Sequence, residues 1–557
     1  MLVAWAAVGD STVVRGEVGG EEQPAELIVL TRRIWTGDPA RPWAEAVAVR
    51  EGRLVAVGRR DEALGHRGPQ TRVIEQADGF GLPGLIDAHG HVSSLGSKVD
   101  ELDLRGVRSV EEVARRVAER IEREPGDGWI RGRNWDQSLW PGGRFPTARD
   151  LDGATGSRPV LLERVDGHAA WANSEAMRRA GINAESKAPR DGQIVRDERG
   201  EPTGVFVDGA ISLLYRVVPA PAPGQIERRI LAAQTECLRH GLTMVHDAGV
   251  DRIEAEIYRR LDAEGKLKLR IYAMMSPPAG KEVEAVSTPP VQAGPNGRFE
   301  MRAIKLFIDG AMGSRGGLLF EPYSDDRGNS GLLLIEPEKL CDVTRTALSS
   351  GWQVCTHAIG DRGNAIVLDA YEAALGLRPE ARNPRLRIEH AQVVRRSDVA
   401  RFARSGIVAS MQPSHASTDK RWADERLGGD SARVEGAYAW RWFVDERVSL
   451  AFGSDFPVEV SNPCWGIYAA LTRQDEAGAP VGGWHPEQRL TLEETLAAFT
   501  RGSAYAAFAE ERLGVVKEGF AADLILLDRD LFESTPAEIL EAKVTHTLVG
   551  GEVVFER

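Results

Sequence analysis

Two histidines, His89 and His91, sit either side of Gly90 at the end of the apolar run Gly84-Leu85-Ile86-Asp87-Ala88. Such a run reads as a buried strand. Residues two apart on a strand face the same side, so both imidazoles can reach one cation. Further apolar runs end in metal-binding groups. Val354-Cys355-Thr356-His357 ends in His357, Leu386-Arg387-Ile388-Glu389-His390 in His390, and Leu450-Ala451-Phe452-Gly453-Ser454-Asp455 in Asp455. The run from Arg302 to Ile308 carries Lys305 inside an otherwise apolar strand. Four imidazoles and a carboxylate suit a borderline divalent cation, zinc first, with manganese, cobalt or iron behind it. A buried ammonium is costly and cannot bind a cation. Joined to carbon dioxide as a carbamate, Lys305 becomes an anionic oxygen ligand able to bridge two ions. The alternative for Lys305 is an ion pair with Asp309 or Glu389, and for Asp455 it is a cap before Pro457.

These groups need a frame that gathers strand ends. The central part of the chain alternates strand and helix patterns, which argues for parallel strands with helical crossovers. Eight strands are predicted: one ending at His91, then 242–247, 267–273, the Lys305 run, the His357 and His390 runs, 407–412, and one ending at Asp455. Eight such units make a TIM-like (β/α)8 barrel, whose sites lie at the C-terminal strand ends. Cys355, two residues before His357, reads as a small core residue below it. Both chain ends are β-rich. A strand at 27–30 and a hairpin at 44–57 match a strand at 523–527 and a hairpin at 544–555, which suggests one small composite β-sandwich. The expected division is a loosely ordered 1–25, β-sandwich parts at 26–82 and 511–557, and a barrel at 83–510. A stretch of about 98–219 is too long for a crossover loop. It has its own helix at 110–123 and strand at 158–162, and reads as an inserted α+β subdomain over the barrel mouth.

The order HxH, Lys, His, His, Asp resembles the ligand series of the amidohydrolase superfamily of metal-dependent hydrolases. Asp166-Gly167-His168, Gly313-Ser314-Arg315, Thr356-His357-Ala358-Ile359-Gly360-Asp361 and Gly453-Ser454-Asp455-Phe456-Pro457 look like the branch that includes N-substituted formamide deformylase. The resemblance spans roughly residues 26–557. It implies that His89, His91 and Asp455 hold one ion, that His357 and His390 hold a second, and that carbamylated Lys305 bridges them. A metal-activated hydroxide would attack a non-peptide amide, formamide or N-acyl bond, with Asp455 as the catalytic proton shuttle. Ester hydrolysis, deamination, decarboxylation or a non-catalytic metal scaffold are the alternatives. Deamination in the superfamily usually lacks the bridging lysine, so Lys305 counts against it. The resemblance also suggests a homodimer.

His168, His246 and Arg315 are candidate substrate contacts. For His246 a structural hydrogen-bonding role is the competing reading, and for Arg315 the tying of its own loop. The chain has 557 residues, 42% hydrophobic and 27% charged, with a net charge of −13. That acidic balance argues against a nucleic-acid partner. Four cysteines without a CxxC pair suggest neither disulfides nor a cysteine zinc site. No apolar run is long enough to span a bilayer, and Met1 to Val8 lacks the basic start of a signal peptide. The expectation is a cytoplasmic enzyme acting on a small-molecule substrate, with no membrane partner.

Overall fold

The computed structural model describes residues 23–557 apart from 165–168, 190–191, 291–292 and 430. At its centre is an eight-stranded parallel sheet. Its strands are β1 (Leu85–Gly90), β2 (Leu242–Val250), β3 (Arg270–Met275), β4 (Phe299–Phe307), β5 (Gln353–Ala358), β6 (Arg387–His390), β7 (Val408–Met411) and β8 (Leu450–Phe452). Each pairs with the next in chain order. The ring closes beyond the regular ladder. Asp455 donates its N–H to the His89 carbonyl at 2.7 Å, and His91 donates to the Phe456 carbonyl at 2.8 Å. Gly453 makes this closure possible, because a Cβ there would lie 2.5 Å from both Asp87 Oδ1 and the His89 nitrogen. The result is the TIM-like barrel expected from the alternating pattern.

The strands are buried on both faces, which explains their continuous apolar runs. Ile271, Ile304, Leu306, Val354 and Ile388 meet the helix layer in the main core, with Leu340, Val367 and Phe402. Inside the ring, Ile86, Met244, Tyr272, Ala303 and Cys355 form a smaller apolar cluster. Cys355 is fully buried there, as its place on β5 suggested. The third strand starts later than the pattern predicted. The N–H groups of Lys268 and Leu269 donate to Gln234 Oε1 at 2.6 and 3.1 Å, which leaves them out of the ladder.

Strands Ala25–Trp35, Trp43–Arg50, Arg53–Gly58 and Arg67–Pro83 join Leu524–Leu527, Val544–Val549 and Glu552–Glu556 in one seven-stranded sheet. Leu27, Val29, Val47 and Leu54 share a core with Leu524, Leu526 and Leu548. The composite unit is thus a single hydrogen-bonded sheet whose N- and C-terminal parts pack on one core. A separate six-stranded sheet lies between Glu101 and Asp208. Its helix Val110–Arg123 starts where the Ser109 side chain accepts from the Glu112 N–H, and it buries Val113 and Val117. The expected strand at 158–162 is Val160–Arg164. Among the described residues no helix is long and apolar enough to cross a membrane.

Arg270 at the start of β3 is tied to Asp523 by two bonds of 2.7 and 3.0 Å, and Asp523 also accepts from the Gly550 N–H. Both side chains are largely buried. Asp523→Ala leaves the guanidinium without its counter-ion, which should cost about 3 kcal/mol. The expected outcome in chemical denaturation is that loss with the metal content of the folded protein kept. An unchanged midpoint would show that the pair does not join sheet to barrel.

Candidate metal centre

At the C-terminal strand ends, His89, His91 and Asp455 each place a ligand atom within 4.8 Å of the others, and His390, His415 and Asp455 do the same. Asp455 belongs to both sets. His91 Nε2 lies 3.0 Å and His89 Nε2 3.8 Å from Asp455 Oδ1, while His415 Nε2 is 3.9 Å from Oδ2. Among the described residues, His415 Nε2 is nonetheless buried without a hydrogen-bond partner, and Asp455 Oδ1 faces the imidazoles without a well-aligned hydrogen bond. Uncompensated polar atoms of this kind are costly. A cation among them would satisfy both, so the donor set fits a divalent ion with nitrogen and oxygen preference.

The backbone turns these groups inward. By strand alternation Glu389, not His390, shares the inner face with Arg387. His390 has φ of 71° and Ala391 of 42°, a left-handed turn that side chains rarely adopt. The His390 ring thereby lies 4.8 Å from that of His89 and 4.6 Å from that of His357, centroid to centroid. Asp455 has φ of 60°. Such strain at two of the gathered residues is typical of functional sites.

Oxygen acceptors set the rings. His89 Nδ1 is 2.5 Å from Glu389 Oε2, and His390 Nδ1 is 2.8 Å from Gln412 Oε1. With Nδ1 donating in each case, Nε2 keeps its lone pair for the centre. Glu389 is held by Arg387 through bonds of 2.7 and 3.1 Å. Arg387 also donates to the Ala88 carbonyl, the Ser410 hydroxyl and His246 Nδ1, at 2.7, 3.0 and 2.9 Å. Burial lowers the pKa of His89 to about 4 and of His357 to about 3, and lowers that of His390 well below normal. All three are neutral near pH 7 and can offer lone pairs. Burial works to raise the Asp455 carboxyl, but its histidine neighbours, His91 foremost through close contact, hold it well below the usual carboxylate range.

A model of the amidohydrolase family matches residues 73–555. The chain belongs to the amidohydrolase family. It is similar to Protein LONG AFTER FAR-RED 3 of Arabidopsis thaliana, with 32% identity over 95% of this chain and 92% of that one. It is also similar to N-substituted formamide deformylase of Arthrobacter pascens, with 28% identity over 96% and 99%. Among solved structures, an uncharacterized metal-dependent hydrolase from Pyrococcus furiosus superposes with a TM-score of 0.76 and 29% identity, covering 92% and 99% of the two chains. This amidohydrolase therefore falls among the metal-dependent hydrolases.

The amidohydrolase fold brings His89, His91, His390 and Asp455 together as the sequence suggested. His357 faces the same mouth but lies outside the two close sets, with Nε2 3.5 Å from the Gly310 carbonyl and 3.6 Å from Asp309 Oδ1. Lys305 is buried with Nζ 3.2 Å from His89 Nε2. Among the described residues no carboxylate pairs with it, and burial lowers its pKa. Asp309 instead accepts backbone N–H groups of Leu318, Ile359 and Gly360 at 2.8, 2.9 and 2.8 Å.

His246 is fully buried, its Nδ1 accepts from Arg387 and its ring packs on Tyr272, the arrangement of the hydrogen-bonded structural reading. Arg315 pairs with Asp325 in its own loop at 2.8 Å. His168 lies outside the described residues. His415 was not anticipated, because it stands on the helix Pro413–Thr418 and not on a strand. The available signal was Gln412-Pro413-Ser414-His415, where a proline starts a helix directly after β7.

Gln412→Leu removes the acceptor that orients His390. Metal affinity should fall about 10- to 100-fold, the usual cost of losing such a partner, as read by competition with a chelator. Unchanged affinity would exclude the orienting role. A second expectation concerns the chelator-stripped protein. The folded pKa values of His89 and His357 lie below the unfolded value of about 6.5, so the unfolded chain takes up protons first as pH falls. Stability should be lost progressively from about pH 6.5 downward through the folded value of His89 near 4. A melting temperature that stays flat over that window would contradict neutral buried imidazoles.

Proposed function

We propose that the protein hydrolyses a carbon–nitrogen bond in a small amide of the formamide or N-acyl type, using one or two divalent ions, zinc first. The observation that carries this reading is Asp455, a buried carboxylate common to two histidine sets, with Oδ1 3.0 Å from His91 Nε2. His89, His91 and Asp455 would hold one ion. His357 and His390, with His415 beside them, would hold the other. Lys305 would bridge as a carbamate. The buried amine, without a carboxylate partner among the described residues, supports this, since its uncharged form reacts with carbon dioxide and the product removes an isolated positive charge. A divalent ion at such a site lowers the pKa of water toward neutrality and polarises a carbonyl.

The chain's own residues do the rest. Asp455, ionised by its histidine neighbours, takes the proton of the attacking water and passes it to the leaving nitrogen. Amide and water thereby become carboxylic acid and amine. Glu389 holds His89 in one tautomer, and Arg387 keeps Glu389 ionised, so the nitrogen facing the mouth stays a donor of its lone pair. The similarity to N-substituted formamide deformylase supports a carbon–nitrogen bond as the target.

Asp455→Asn should keep the fold and lower kcat on the best amide by at least ~10²-fold, the scale of general acid–base catalysis. Asp455 as a mere turn cap would instead cost about 1 kcal/mol of stability with turnover kept, and that outcome would refute the shuttle. Lys305→Ala should lose bound metal and activity together, with partial recovery of both in a short carboxylic acid. Full metal content in that variant would rule out the bridging carbamate.

A further inference from the structure

Beside the metal-binding residues is a cavity of about 390 Å³ to which the proposed chemistry assigns no occupant. Lys305 lines its inner end, and Lys305 Nζ is 3.2 Å from His89 Nε2. The cavity thus adjoins the candidate centre at Lys305, and Phe307 in its wall packs beside the His357 ring. Its volume lies within the range of small-molecule sites.

The walls are apolar. Phe307 follows Lys305 by two residues on the same face of β4 and is 47% exposed. Its ring lies 4.7 Å from Lys305 Nζ and 5.2 Å from the His357 ring centroid. Leu334 and Ile335 form another wall, with Pro277 opposite in the loop after β3. Leu334 is held in place by its N–H, which donates to the Ile308 carbonyl at 2.9 Å, while its side chain stays 55% exposed. Leu332 and Leu333 before it are exposed as well. A run of three exposed leucines next to an exposed phenylalanine is a hydrophobic patch of the sort that marks a binding surface. At the outer rim Glu282 and Lys339 pair at 2.8 Å, so these two charges compensate one another.

We infer that this cavity is the subsite for an uncharged, apolar substituent of aryl or branched-alkyl size carried by the scissile amide. The inference rests on the amide-hydrolysis reading above for the identity of the reacting group, but not for the presence of the subsite. Phe307 offers a ring face at the inner end, Leu334 and Ile335 exclude water from the substituent, and the exposed Glu336 carboxylate at the rim disfavours an anionic substituent. Substrates with only a methyl substituent would leave Phe307 and Leu334 in water.

Two measurements on the metal-loaded full chain separate the subsite from the chemistry. The first compares kcat/KM for N-phenylformamide and N-methylformamide in the unmodified protein, Phe307→Ala and Leu334→Gln. The phenyl compound should be preferred by at least ~10-fold, the scale of apolar discrimination in a pocket, and both substitutions should shrink that ratio. The second titrates phenylurea against methylurea by calorimetry, which reads binding without turnover. Phenylurea should bind more tightly, and both substitutions should weaken it by about 10-fold with metal content and melting temperature kept. Cavity-dependent phenylurea binding without hydrolysis of either formamide would sink the hydrolysis reading and leave the subsite standing. Equal handling of phenyl and methyl partners in both measurements, or a preference that survives both substitutions, would overturn the subsite.

Discussion

The N–H of Asp455 bonded to the carbonyl of His89 closes the barrel, and the candidate site depends on that closure. The bond spans from β1 to the residues after β8, almost the whole length of the central part of the chain. It sets a carboxylate against two imidazoles that sequence distance alone would keep apart. It also requires a glycine at 453 and a left-handed Asp455, both costly choices that the surrounding structure enforces. An open eight-stranded sheet would still bury its apolar runs, but it would not assemble this donor set.

Beneath the closure lies a fully buried charge pair, Arg387 with Glu389. Such pairs contribute little net stability, because desolvation offsets their attraction, and apolar replacements are often as stable. Orientation gives a better reason for this one. Glu389 spends one oxygen on His89 Nδ1, and Arg387 spends its remaining donors on Ala88, Ser410 and His246. An apolar substitute could fill the space but could not fix which nitrogen of His89 carries the proton. The polar layer therefore sits between the apolar interior of Met244, Tyr272 and Cys355 and the groups at the mouth.

What was legible in the sequence follows from the same physics. Strands buried on both faces must be apolar, so a histidine or aspartate ending such a run stands out, and His89, His91, His390 and Asp455 could be read directly. The eight-strand pattern and the pairing of the two β-rich ends were legible for the same reason. His415 was not, because one turn of helix carries it to the mouth and no strand periodicity points there. His246 was ambiguous because it also ends an apolar stretch, and its partner Arg387, distant in sequence, could not be read from it. Lys305 was recognisable as an anomaly, but only the structure shows that Asp309 serves backbone amides and that no carboxylate among the described residues pairs with the lysine.

The central claim is that these strand ends form one cation site around Asp455. The most direct test is anomalous diffraction from crystals of the active protein, collected on both sides of the metal absorption edge. The account predicts a peak bonded to His89, His91 and Asp455 at about 2.0–2.2 Å, the distance expected for zinc with nitrogen and oxygen ligands. An active crystal with no anomalous peak among these side chains, or with its metal held elsewhere, would contradict it.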